Sequence, residues 1–160
     1  MSVSMAVQER VGSMVVPHHA GGARLARQRL AVELDELLAP ALLGDVVAVV
    51  AELLGNAVRH AGPLPGGVIH LAWRVGPAAR KESAYVLVRV TDGGAEHSPT
   101  ARVADPDSVD GRGLAIVSAL AGRWGVDREG DGQCVWAELG TPRPMTAPTD
   151  ARLSRREQAS

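Results

Sequence analysis

The 160-residue sequence is poor in aromatic side chains, with three Trp, one Tyr and no Phe, 2% in all. That excludes the stacking platforms on which single-stranded nucleic acids are held, and it leaves the core to Ala, Val and Leu. Lysine is nearly missing too. Lys81, between Arg80 and Glu82, is the only one. The Gly-Lys-Ser/Thr of a phosphate-binding P-loop is therefore absent, and a lysine between charged neighbours is a poor Schiff-base nucleophile. Cys134 is the only cysteine, which excludes an internal disulfide framework and a Cys-rich zinc site. Neither sign of charge prevails: 17 basic and 18 acidic residues give a formal net charge of −1. The broad basic footprint of a nucleic-acid-binding domain is absent. No apolar run reaches about eighteen residues, and the N-terminus lacks a basic stretch followed by an apolar one. Neither a membrane span nor an export signal is expected, and a cytoplasmic location is.

Hydrophobic residues at 46% and charged residues at 22% match ordinary globular usage, and the length fits one domain. Residues 1–10 mix Ser, Gln, Glu and Arg without a period and read as a flexible arm. Residues 141–160 are rich in Pro, Thr, Ser and Arg; such a tail cannot bury enough surface to offset its chain entropy and is expected to be disordered. The globular domain is expected over 11–140. Helical spacing predicts a helix over 20–38, ended by Pro40, and a second over 42–60 with Val46, Val49, Val50, Leu53, Leu54 and Ala57 on one face. Gly62-Pro63-Leu64-Pro65-Gly66-Gly67 stops it. Strands are predicted over 68–75 and 84–91, a long irregular loop over 92–113, a short helix over 114–120, and a hairpin of 124–128 with 134–139. A loop of that length in a compact domain is often a lid. The order predicts an α+β fold, a two-layer α/β sandwich in which helices cover one face of a mainly antiparallel sheet.

Three short motifs carry chemistry. In Glu52-Leu53-Leu54-Gly55-Asn56-Ala57-Val58-Arg59-His60, the residues Glu52, Asn56 and His60 recur every four positions and form one polar ridge beside an apolar surface. A solvated face produces such a ridge too, but usually with Glu, Lys or Arg. Gly55 inside a helix costs roughly 1 kcal/mol relative to Ala, so its presence suggests a close approach to the backbone there. Val90-Thr91-Asp92-Gly93-Gly94 ends a strand with a carboxylate and two glycines. This is the chemistry of a turn, and equally of a carboxylate that accepts a hydrogen bond from an exocyclic amino group such as adenine's. Asp110-Gly111-Arg112-Gly113-Leu114 stands where a loop enters a helix, and helix-start amides can face phosphate. Alone it reads as well as a hinge, and Ile116 leaves the dinucleotide fingerprint incomplete.

In this order and at these separations, the three motifs resemble the N box and the two glycine-bearing boxes of the GHKL superfamily, the Bergerat-fold ATP-binding domain. Among its members, a short single-domain chain resembles the anti-sigma-factor serine/threonine kinases. The likeness runs over about 20–139 and includes the closing strands with Trp124-Gly125 and Val135-Trp136. It implies ATP and Mg²⁺ as cofactors. Glu52 then matches the catalytic acid that orients or deprotonates the attacking group, and Asn56 the metal-ligating amide. Arg59 and His60 stand beside the phosphates, and Asp92 with Gly94 matches the adenine-reading pair. Gly111, Arg112, Gly113 and Leu114 match the lid hinge and phosphate cradle. The implied partners are a STAS-type antagonist, phosphorylated on Ser or Thr, and a sigma factor; the resemblance also admits a homodimer. No direct nucleic acid or membrane partner is implied. One position departs: where the well-known anti-sigma kinases carry an arginine two residues before the first glycine of the last box, this sequence has Val109. A non-catalytic ATP-binding module that switches partner binding through its lid is the alternative. His18-His19, His70 and His97 lack metal-site spacing, Ser118 lacks a nucleophile elbow, and Cys134 reads as a small core residue.

Overall fold

The computed structural model describes residues 8–94 and 109–140, with the backbone alone at 109–113. The arm before residue 8, the proposed lid residues 95–108 with His97, and the tail from 141 lie outside the described residues. The elements are β1 (Arg10–Pro17), α1 (Ala20–Leu34), α2 (Pro40–His60), β2 (Val68–Val75), β3 (Tyr85–Asp92), α3 (Val109–Leu120), β4 (Arg123–Glu129) and β5 (Gly132–Gly140). The five strands form one sheet in the order β1-β2-β3-β5-β4, with every neighbouring pair antiparallel. The helices pack on one face of it, which is the two-layer α+β arrangement expected.

Alternation decides which side chains meet the helices. Val16, Ile69, Leu71, Val75, Val86, Val88, Val90, Ala137 and Leu139 point into the core. The buried stripe of α2, Val46, Val49, Val50, Leu53, Leu54 and Ala57, lies over them at the i, i+3, i+4 spacing of a core helix. By length and composition alone α2 could cross a membrane; here its apolar face is used against the sheet, α1 and α3. Pro40 does not end the first helix, which stops at Leu34. It opens the second at its first turn, where a missing N–H costs nothing.

Beyond shifts of one or two residues at the ends of β3, β4 and β5, four differences from the expected elements stand out. First, β1 was not expected. It begins at Arg10 and pairs with β2 over its whole length, and Glu9 just before it pairs with Arg74 at 2.8 Å. Second, α1 ends at Leu34, where Leu37 and Leu38 turn back on the Leu34 carbonyl, and Leu38 still reaches the core. Third, α2 starts two residues early, at Pro40. Fourth, α3 starts at Val109 instead of residue 114, so Gly111, Arg112 and Gly113 belong to its first turns.

With so few aromatics, two of the three tryptophans are placed alike. The Trp73 indole covers its cross-strand partner Gly12, and that of Trp136 covers Gly125, whose added Cβ would come within 2.6 Å of the ring. An aromatic covering a glycine across a strand pair fills space that no side chain occupies. Gly125→Ala is therefore expected to destabilise the domain by about 1–3 kcal/mol through overpacking. Urea unfolding that shows an unchanged midpoint would contradict this packing.

Candidate functional site

Helix α2 presents Glu52, Asn56 and His60 on its flank, each half-buried, between the core stripe and the solvent. The C-terminal end of α2 is tied down from a distance. The Nε2–H of His18 donates to the carbonyl of Ala57 (2.9 Å) and of Ala61 (2.8 Å), which satisfies carbonyls that a helix end leaves without partners. His19 caps α1 by accepting from Gly22 N at 2.9 Å. The histidine pair, which lacks metal-site spacing, thus fixes the β1–α1 corner against the end of α2. Nothing local in the sequence signals it, because His18's partners lie 39 and 43 residues away.

Two backbone bonds then join α2's exit to the end of β3. Gly62 N donates to the Gly94 carbonyl (2.9 Å), and Gly93 N to the Gly62 carbonyl (2.8 Å). A side chain at Gly93 would run into the Pro63 carbonyl, so only glycine allows this approach. Gly94 has φ 78, a conformation glycine adopts without strain. The carboxylate of Asp92, the last residue of β3, is 2% exposed, and its Oδ1 accepts from Gly94 N at 2.7 Å. The Asp-Gly-Gly motif is therefore both a turn and a buried carboxylate held in one orientation. The space beside its glycines is taken by backbone, at Gly93 by the α2–β2 turn and at Gly94 by the β4–β5 turn.

On its other side α2 packs against α3, whose Val117 is buried in the same core. Ser118 Oγ accepts from Trp124 Nε1 at 2.8 Å, tying α3 to β4. The unpaired amides of α3's first turn fall on Val109 to Arg112, and Leu114 follows, half-buried. The fold thus gathers the three motif-bearing segments around α2: its own polar ridge, the end of β3 at its exit, and α3 along its side.

Asn56 and Arg59 interact directly. Arg59 Nη2 donates to Asn56 Oδ1 at 3.2 Å, and the guanidinium lies over Gly55, where an added Cβ would meet Nη1 at 2.9 Å. The close approach that Gly55 signalled is made by Arg59 itself. An amide oxygen suits a hard divalent ion once the guanidinium moves off it. Among the described residues no group of three His, Cys, Asp or Glu could hold a metal, so an ion here would need oxygens from a bound phosphate, as Mg²⁺ usually does.

A separate cavity of about 510 Å³ lies on the helix-free face of the sheet, lined by Ser13, Val15, His70, Arg89, Thr91 and Glu129 among others. Its charged groups satisfy one another: Arg89 bonds to Glu129 at 2.6 Å and to Cys134 Sγ at 3.4 Å. Cys134 is buried as expected, but on this face rather than in the main core. Burial pushes its thiol up from the ordinary value, against the pull of Arg89, which keeps it protonated and unreactive.

A family model of the histidine kinase-like ATPase domain matches residues 16–139. Among solved structures, the RsbU and RsbW domains of Rv1364c from Mycobacterium tuberculosis align with a TM-score of 0.59 at 20% identity, over 84% of this chain and 33% of that one. This chain thus spans about a third of that protein's length. No curated protein matches the sequence.

Proposed function

The chain belongs to the histidine kinase-like ATPase domain family, and from that premise we propose that it is an ATP- and Mg²⁺-dependent regulator of the anti-sigma-factor kind. In this reading it transfers a phosphoryl group to a Ser or Thr of a STAS-type antagonist and has a sigma factor as its second partner. The observation that carries the reading is the gathering of an acid–amide ridge, a buried strand-end carboxylate and the glycine-bearing helix α3 around one helix. The likeness to a structure titled for RsbU and RsbW domains is one of fold.

Each residue has a task in that scheme. Asp92 reads the adenine amino group, with Gly94 holding the carboxylate in place. The first-turn amides of α3, from Val109 through Gly111 and Arg112 to Gly113, face the phosphates. Arg59 and His60 add positive or donor groups at the end of α2. Asn56 would hold the metal ion, which when bound neutralises phosphate charge. Glu52 takes the proton of the incoming hydroxyl as its oxygen bonds to the γ-phosphorus and the bond to the β–γ bridging oxygen breaks. Such a transfer asks little covalent chemistry of the protein, mainly positioning and charge. Val109 favours a second reading, in which ATP only switches partner binding.

Labelled ATP incubated with the chain, Mg²⁺ and purified STAS proteins separates the two: transferred label supports the kinase, and nucleotide binding without transfer supports the switch. Asn56→Ala is expected to weaken ATP binding in Mg²⁺ by roughly ten- to hundredfold, as for loss of a group that holds a metal in place. Binding without Mg²⁺ should change far less. An equal loss in both titrations would remove Asn56 from the metal's surroundings.

A further inference from the structure

His18 holds the segment between α2 and β2 at both of its ends. Its backbone N–H donates to the Gly67 carbonyl at 3.0 Å, where the segment enters β2. Its Nε2–H is shared between the carbonyls of Ala57 (2.9 Å) and Ala61 (2.8 Å), where the segment begins. Both partners are acceptors, so the hydrogen sits on Nε2, and shared bonds of this kind are common at helix ends. The residue after it closes the corner that carries it. His19 N donates to the Pro17 carbonyl at 2.8 Å, its carbonyl accepts from Ala23 N at 3.0 Å, and its Nδ1 caps α1.

The Ala61–Gly62 peptide passes this hold on. Its oxygen accepts from His18 Nε2, and its N–H donates to the Gly94 carbonyl at 2.9 Å. A peptide unit is planar, so fixing the oxygen fixes the direction of the N–H. The Gly62 carbonyl then accepts from Gly93 N at 2.8 Å, and Gly94 N donates to Asp92 Oδ1 at 2.7 Å. A run of hydrogen bonds thus leads from His18 to the buried carboxylate.

Little else holds the segment in place. Pro63, Pro65, Gly66 and Gly67 are exposed, and Gly66 and Gly67 stand at φ 91 and 73. Its remaining backbone bonds are local: Leu64 N donates to the Val68 carbonyl and Gly67 N to the Leu64 carbonyl. A segment with few buried contacts is one that opens easily, so its position against β3 depends on how its ends are fixed.

We propose that His18 is a positioning residue for the nucleotide site, setting through Gly62 the orientation in which Asp92 meets the base. The effect on base recognition rests on the nucleotide reading above; the hold on Gly62, Gly93 and Gly94 does not. A binding group is only as well placed as the contacts that support it.

Two substitutions separate the hold from bulk. The amide nitrogen of glutamine stands as many bonds from Cα as Nε2 does, and that of asparagine one bond fewer. Amide hydrogen exchange of the full chain without nucleotide comes first. In His18→Asn the amides of Gly62, Gly93 and Gly94 should exchange about tenfold faster or more, while Val88 in the middle of β3 keeps its rate. His18→Gln should restore all three. In titrations with ATP and inosine triphosphate, His18→Asn should bind ATP about fivefold more weakly or worse, with a narrower preference for ATP, and His18→Gln should recover both. Glycine amides that exchange in His18→Asn as in wild type overturn the hold. So does faster exchange shared equally by Val88, which marks a loss of overall stability. A ratio of the two affinities that is unchanged in His18→Asn, or not recovered in His18→Gln, overturns the effect on Asp92. Wild type that binds neither nucleotide, or both alike, overturns the proposed reading of Asp92 along with that effect, and the glycine exchange still decides the hold.

Discussion

Asp92→Asn is expected to lower ATP affinity by about ten- to hundredfold, the range for one buried polar group left facing the wrong partner, while the fold stays intact. Asp92 is buried at the end of β3, and its Oδ1 is engaged by Gly94 N. Asparagine keeps an oxygen for that amide, so the turn survives. What changes is the second position, which becomes an NH₂ donor in place of a carboxylate acceptor. Adenine's exocyclic amino group is a donor as well, and two donors repel. Inosine triphosphate carries an acceptor at the same place. The variant should therefore lose its preference for ATP over inosine triphosphate, or invert it. Calorimetric titration with both nucleotides checks this. Equal ATP affinity in wild type and variant would take Asp92 out of base recognition. Asp92→Ala, by contrast, also removes the acceptor for Gly94 N, and its loss of affinity should come with a lower melting temperature.

The parts of the fold legible in the sequence are those whose burial pattern is strong. Helix α2 shows a complete apolar stripe from Val46 to Ala57, and β3 reads as a β-rich run with Val at 86, 88 and 90. The hairpin of β4 and β5 is marked by Gly130-Asp131, with Gly130 at φ 59. Strand β1 is illegible for the opposite reason. Only Val16 is buried, Met14 is partly so, and Val11 and Val15 point into solvent at 74% and 64% exposure, so no alternation of apolar and polar marks it. The start of α3 is hidden in Val109-Asp110-Gly111-Arg112-Gly113, where two glycines in five residues make a poor helix by propensity alone. The run Leu34, Leu37, Leu38 prolonged α1 in the sequence reading because a turn can bury the same leucines without helical geometry.

The candidate site shows the same division. The ridge of Glu52, Asn56 and His60 is legible because helical spacing is local. Gly55 shows that something approaches the backbone, but that it is Arg59 depends on a side-chain conformation. His18 reaches the end of α2 across the β1–α1 corner. Contacts between elements leave no trace in the periodicity of either one.

The largest expected effect concerns phosphoryl transfer itself, where two positions pull in opposite directions. Glu52 is half-buried, one helical turn before Asn56, and in the proposed scheme it takes the proton of the attacking hydroxyl. A positioned general base contributes roughly 10²–10⁴ in rate. Glutamine keeps the shape and cannot take a proton, so Glu52→Gln should abolish transfer with little loss of ATP affinity. Val109 stands at the start of α3, where the kinases this chain resembles carry an arginine. A charge-stabilising arginine is worth roughly 10³–10⁵ in phosphoryl transfer. A cation in the first turn of a helix is unfavourable by itself; it becomes favourable only when phosphates occupy the site. Wild type should therefore bind ATP and transfer slowly, and Val109→Arg should speed the chemical step by more than it changes ATP affinity. Single-turnover phosphorylation of the antagonist by wild type and both variants measures this directly. Fast wild-type transfer that collapses in Arg112→Ala would show that Arg112 supplies the missing charge. No transfer by wild type or Val109→Arg, with Glu52→Gln regulating its partner as wild type does, would leave the nucleotide-dependent switch as the function of the chain.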